Sequence, residues 1–289
     1  MFKVPEGVDP GELTVIARRV LLDGVTALIH QIDALTIVGA QAVHLRTSES
    51  PLRGASFTSD ADISIDPKRL GDEPLLQEAL REAGFELMAP HQPGLWARTE
   101  CVGGKPVPIE LDLLVPERQA PTAGRRSAEM PPHHKMAARR VPGLEVASVD
   151  RSLMLVPSLE PRETRCVPVH VAGPVALFVA KAFKIRDRLT QGGDRDRLTD
   201  KDAGDVLRLM TAVPVTEAVA SFSELREEPD VGDIADEGAG LLGSLFGGRR
   251  TPGVDMAVRA LAGDMPEQRV RALAPAYVAG LKQSRSPAL

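Results

Sequence analysis

One nine-residue stretch limits what this chain can fold into. Val107 to Val115 (VPIELDLLV) is apolar enough for a strand buried on both faces, and Pro116 closes it. Yet Asp112 stands inside it. A carboxylate in a central strand is costly unless it meets a hydrogen-bond donor or a cation. A second strand is written at Asp60 to Asp66 (DADISID), which alternates strictly and stops at Pro67. Its alternation sends Asp60 and Asp62 to one face and Ala61, Ile63 and Ile65 to the other. A third strand is Ala34 to Val38, a short run rich in branched residues that ends at Gly39. A short helix is expected from Ala40 to Leu45. Such a chain needs a sheet with a packed face and a face bearing acids.

The remaining pattern divides the chain in two. A helix opens at Gly11, with Leu13, Ile16, Ala17, Val20, Leu21, Val25, Leu28 and Ile32 at helical spacing. Residues 46–58 are polar with Pro and Gly and read as a loop. Pro74 to Ala83 is a helix ended by Gly84. Phe85–Met88 and Leu95–Thr99 suit strands of a meander, with Trp96 in the core. Residues 117–143, rich in Pro, Arg and His, read as a loop or lid. Val167–Val171 is a last strand. From Val175 the pattern is helical almost to the end, with breaks at Gly192-Gly193, Pro214, Pro229, Gly247-Gly248 and Pro266. The expected domains are 1–172, mixed α and β, and 173–289, all helical.

Composition excludes several classes. A net charge of -5 over 289 residues is not that of a basic nucleic-acid coat, so any such contact needs a local patch. Aromatic residues make up only 3%, which argues against stacking platforms for single strands. Two cysteines, Cys101 and Cys166, cannot build a disulfide scaffold or a Cys-rich zinc site. No apolar run approaches the roughly 18 residues of a membrane span. No basic segment leads into an apolar one as in a secretory signal, so the expected location is cytoplasmic.

The chemistry lies in three carboxylates on two strands. Asp60, Asp62 and Asp112 together offer hard oxygen ligands of the kind Mg²⁺ takes, with positions left open for phosphate oxygens. Two such ions can hold the attacking and leaving oxygens of an in-line displacement. Each residue alone has a plainer reading. Asp-x-Asp often marks the wet face of an edge strand, as Asp66 does here, and a strand Asp can be a hydrogen-bonded core group. In Ile37-Val38-Gly39-Ala40-Gln41-Ala42 a strand feeds a helix through glycine, which allows close backbone approach and aims N–H groups at an anion.

Gly39-Ala40, Asp60-x-Asp62 and Asp112 in this order resemble the nucleotidyltransferase superfamily of the DNA polymerase β type. Ala180-Lys181-Ala182-Phe183-Lys184, then Arg188, then Asp200-Lys201-Asp202-Ala203-Gly204-Asp205 are similar to the Lys helix and the following helix of the AbiEii-like toxins, related to the MenT toxins. The resemblance spans about 34 to 210. It implies an α+β fold: a minimal nucleotidyltransferase core, a mixed sheet flanked by helices, followed by an all-helical C-terminal domain. It implies an Mg²⁺-dependent enzyme that moves a nucleoside monophosphate from an NTP to an acceptor. That acceptor would be RNA, at the tRNA 3′ end, and the enzyme a toxin with a cognate antitoxin protein as partner.

By the same resemblance Asp60, Asp62 and Asp112 hold the metal, with Asp112 as a general base. Gly39 and Ala40 lie beside the triphosphate. Lys181 neutralises phosphate, Asp202 or Asp205 orients it, and Lys184 and Arg188 contact nucleotide. Ala40 stands where the family has Ser or Gly and brings no hydroxyl, so backbone N–H groups would carry that contact. A transferase acting on a small molecule or a protein, and a non-catalytic nucleotide- or partner-binding member, remain as alternatives.

Two basic segments complete the reading. Arg125, Arg126, Lys135, Arg139 and Arg140 surround His133-His134, and residues 181–201 carry a basic excess. Either could grip phosphates; solvated arginine is the plainer account. Adjacent histidines point apart on an extended chain, so His133-His134 is not read as a zinc site.

Overall fold

A computed structural model of the chain describes residues 7–48, 60–121, 126–190 and 200–283. Residues 49–58 of the expected loop at 46–58, Arg125, Gly192-Gly193 and part of the basic stretch at 181–201 fall outside these residues; Arg46 closes a helix instead. The chain forms two compact units. One comprises 1–42, 57–144 and 151–172; the other comprises 43–56, 145–150 and 173–289.

The first unit begins with helix α1 (Pro10–Ala27), where Asp9 accepts from the amides of Gly11 and Glu12 and so satisfies two open N–H groups. A 3-10 turn at Ile29–Ala34 leads into β1 (Leu35–Val38), α2 (Gly39–Arg46), whose residues from Val43 on count with the other unit, and β2 (Asp60–Ile65). Then follow α3 (Leu76–Glu82), β3 (Glu86–Leu87), β4 (Leu95–Val102), β5 (Lys105–Pro116), β6 (Arg139–Val141), β7 (Arg151–Pro157) and β8 (Cys166–Ala172). These strands make one mixed sheet in the order β3-β4-β5-β2-β1-β8-β7, with β6 also paired to β5. β2 runs antiparallel to β1 and parallel to β5, and β1 runs parallel to β8.

Alternation decides what each face of this sheet does. Ile37, Ile63, Leu111, Leu113 and Val171 are buried on one face. α1 covers that face: Gly24 comes so close that an added Cβ would stand 2.7 Å from Leu111. The opposite face carries Asp60, Asp62, Glu110 and Asp112. Trp96 is fully buried, as expected, and its Nε1 donates to the Ala137 carbonyl at 2.9 Å.

Two strands escaped the sequence. β7 was missed because Leu153 and Leu155, which are exposed, alternate with Met154 and Val156, so both faces carry apolar residues and no period-2 pattern shows. β6 lies within the segment expected to be a loop or lid. It pairs with the end of β5 that β4 does not reach: Leu95 to Val102 face Lys105 to Asp112, and Arg139 to Val141 face Leu114 to Pro116. Gly94 sits at the handover with a φ of +73°, and a Cβ there would lie 2.4 Å from the Leu113 carbonyl oxygen and 2.6 Å from the Arg139 nitrogen. Only glycine fits that site.

The second unit is built from α4 (Pro174–Thr190), α5 (Lys201–Ala212), α6 (Val215–Arg226), α7 (Gly232–Phe246), α8 (Pro252–Ala260) and α9 (Glu267–Gln283), with a 3-10 turn at Glu145–Ser148. Asp150 ties its start together. Its carboxylate accepts from the Ala176 amide at 2.7 Å, and its carbonyl accepts from Gly173 at 2.7 Å. Among the described residues, no single helix is long and apolar enough to cross a membrane.

Candidate functional site

The acids of the sheet unit are placed by register. In the parallel pair β2/β5, Asp60 lies opposite Glu110 and Asp62 opposite Asp112. Opposed residues share a face, so the two Asp/Glu-x-Asp pairs form a block of four carboxylates. Asp60, Asp62 and Asp112 are thus brought to one surface, as expected. Glu110 is the member the sequence reading passed over. Its signal was present, because Glu110-x-Asp112 repeats the spacing of Asp60-x-Asp62.

Gly39 closes one side of this block. Its φ is +68°, and a Cβ on it would fall 1.9 Å from Asp62 Oδ2. The backbone where β1 enters α2 therefore lies directly against the Asp62 carboxylate. Ala40 follows it and is buried. Gln41, also buried, accepts from Arg18 Nε of α1 at 2.8 Å, which fixes the first turn of α2. Burial lowers Arg18 to about 10.

Arg139 closes the other side. Its Nη2 donates to Asp112 Oδ2 at 2.5 Å. Asp112 is only 6% exposed, and its Oδ1 is buried with no hydrogen-bond partner. Burial, joined by the charges of Asp62, Glu110 and Asp60 and opposed by Arg139, pushes the Asp112 carboxyl up to about 7. Burial and the charges of Asp60 and Asp62 likewise raise Glu110, against Arg139. The sequence reading placed Arg139 among arginines facing solvent or phosphate; here it is the counter-ion of Asp112.

The donor set suits a hard divalent cation: carboxylates on one face, with a buried oxygen left unbonded. The side chains are not gathered into a finished cage. Among the described residues, no group of three His, Cys, Asp or Glu stands ready to hold a metal ion. Like charges facing one another across two strands repel, and Arg139 already engages one of them.

The helical unit holds a second ionic cluster. Lys181 Nζ of α4 donates to Asp202 Oδ1 and Asp205 Oδ2 of α5, each at 2.6 Å. All three are buried. Burial alone would lower Lys181, but the two carboxylates override it and hold the ammonium well above its ordinary range. Burial would raise Asp202; Lys181, Lys184 and Arg188 override that and hold it far below the usual carboxylate range. Arg188 bonds Asp202 Oδ2, and Lys184 Nζ lies 3.6 Å from Asp202 Oδ1 with its side chain 43% exposed. The alternatives Asp202 and Asp205 thus both bind Lys181. Lys181 is thus held by both of the carboxylates expected to orient it.

His133 is a structural residue. Its Nδ1 accepts from the Leu76 amide at 3.3 Å at the start of α3, and its Nε2 lies 3.0 Å from the Gly71 carbonyl oxygen. Cys101 and Cys166 are exposed thiols. Set against protein-family models, curated proteins and solved structures, the chain matches none of them.

Proposed function

We propose that the acidic face of the sheet is the active site of a nucleotidyltransferase built on a minimal nucleotidyltransferase core. The observation that carries this reading is the register of β2 and β5, which sets Asp60-x-Asp62 beside Glu110-x-Asp112, with Gly39 packed on Asp62. A backbone turn pressed against paired carboxylates suits a triphosphate whose charge is shared with a divalent cation.

Asp60, Asp62 and Asp112 would hold Mg²⁺. When bound, the ion would offset the negative charge of the phosphoryl group under attack. The residues of the chain do the rest. The amides at Gly39 and Ala40 hold the phosphates. An acceptor hydroxyl oxygen forms a bond to the α-phosphorus while the bond to pyrophosphate breaks. The hydroxyl proton passes to a carboxylate of the same face. Glu110, on the same face and raised above the ordinary carboxylate range by burial, is the candidate to take it. In the helical unit Lys181 fixes Asp202 and Asp205; phosphate contact by Lys181, Lys184 or Arg188 is proposed on the sequence resemblance alone. An RNA acceptor such as the tRNA 3′ end, and a toxin role with an antitoxin partner, are proposed on the sequence resemblance alone.

The test is label transfer. The chain is incubated with Mg²⁺, each α-labelled NTP in turn and total RNA, beside an Asp60→Ala/Asp62→Ala control that keeps its circular dichroism. A labelled tRNA-sized band lost in the control is expected. Label on protein or on a small molecule would reassign the acceptor. No transfer to any acceptor would leave a non-catalytic binding protein.

A further inference from the structure

We propose that Arg139 is a positioning residue that presents Asp112 Oδ1 to the divalent cation. This rests on the reading of the acidic face given above. The chain spends several features on placing this arginine. Gly94 lets the Arg139 backbone reach the end of β5, where a Cβ would stand 2.6 Å from the Arg139 nitrogen. Trp96 Nε1 holds the carbonyl of Ala137, two residues earlier. β6 then pairs Arg139 with Leu114, which puts its side chain on the face of Asp112.

The resulting contact is one-sided. The guanidinium bonds Asp112 Oδ2 at 2.5 Å, and Arg139 Nε is buried without an acceptor. Asp112 Oδ1 is likewise buried and unbonded. One carboxylate oxygen is therefore pinned, and the other is left without a donor beside Asp62. A carboxylate held through one oxygen and bare at the other is how an outer contact orients a metal ligand. Arg139 also sets one positive charge beside Asp112 among three other acids. The opposite reading makes Arg139 a stand-in that the metal must displace. The two differ in sign: positioning predicts weaker metal binding once Arg139 is removed, displacement predicts tighter binding.

The experiment measures Mn²⁺ affinity by the loss of the free-ion paramagnetic resonance signal, on the full chain at pH 8. Wild type, Arg139→Met, Arg139→Lys, Asp62→Asn, Asp112→Asn and the Arg139→Met/Asp112→Asn pair are compared, with thermal midpoints recorded for each. Arg139→Met is expected to weaken Mn²⁺ roughly tenfold or more, the range seen for outer-contact residues. Arg139→Lys, which keeps the charge without the planar fork, should recover part of that loss. In the Asp112→Asn background the Arg139 substitution should change nothing further. Unchanged or tighter binding in Arg139→Met, with Asp62→Asn still impaired, overturns this inference and leaves the proposed site standing. Wild-type affinity that Asp62→Asn and Asp112→Asn do not alter overturns both. Should Arg139→Met fail to fold, Arg139→Lys decides, and an affinity equal to or above wild type counts against positioning.

Discussion

Asp112 shows how one residue can oppose folding and serve chemistry. Its carboxyl is raised to about 7 in the folded chain, against about 3.9 for an exposed aspartate. The native state therefore binds the proton more tightly than the unfolded state. Between about pH 4 and pH 7 the contribution of this group to stability falls as pH rises, because the unfolded chain gives up that proton first. In EDTA, urea midpoints of wild type and Asp112→Asn should agree near pH 3 and diverge towards pH 8, with the variant the more stable by on the order of 4 kcal/mol. Parallel curves across that range would refute this. Gly39 is the other residue-scale commitment. Gly39→Ala forces a side chain into a left-handed φ and onto the Asp62 carboxylate, so a loss of about 1–3 kcal/mol is expected in urea unfolding. Mn²⁺ affinity should drop with it, because the Asp62 side chain has to move.

At the scale of elements, legibility followed periodicity. β1, β2, β5 and β8 were visible because their apolar residues repeat with a strand's period or run unbroken. α1 and α4 were visible because theirs repeat with a helix's. β6 was hidden because Arg139–Val141 is three residues long and its place is set by Gly94 and Trp96, far away in sequence. Glu110 was hidden for another reason: inside an apolar run it looked like an exception, and only the register with Asp60 makes it part of a set. In the helical unit the pairing of α4 with α5 was legible as a Lys helix followed by an Asp helix, but its burial was not. Lys181 is enclosed by Asp202 and Asp205, so Lys181→Met should cost about 3–5 kcal/mol by leaving two buried carboxylates without their cation. Urea unfolding would read that cost, and replacing all three by apolar residues of similar volume should recover most of it in the same assay.

Across the whole molecule, the two units keep their charges differently. The sheet unit gathers acids on one face with one arginine among them, and the helical unit neutralises most of its buried ions internally. The division into a strand-bearing part and a run of helices was legible from the composition shift. The assignment of segments 43–56 and 145–150 to the helical unit was not, since tertiary packing, not composition, decides it. The outer strand β7 leaves Leu153 and Leu155 in solvent, at 62% and 69% exposure. Leu155→Thr should therefore shift the urea midpoint by no more than about 0.5 kcal/mol in stability. A larger loss would mean that this side chain is covered in solution.

The paired acids also restrict how such a chain can vary over generations. Substitutions at Asp60, Asp62, Glu110 or Asp112 act one position at a time. A single-residue insertion or deletion within β2 or β5 acts on every acid of that strand beyond it at once, because it turns each later side chain of the strand to the other face. It would bury carboxylates against α1 and send Ile63 or Leu113 into the place of the acids. Length is thus more tightly constrained than identity in these two strands, and descendants should differ there by replacement while changing length in the connections between.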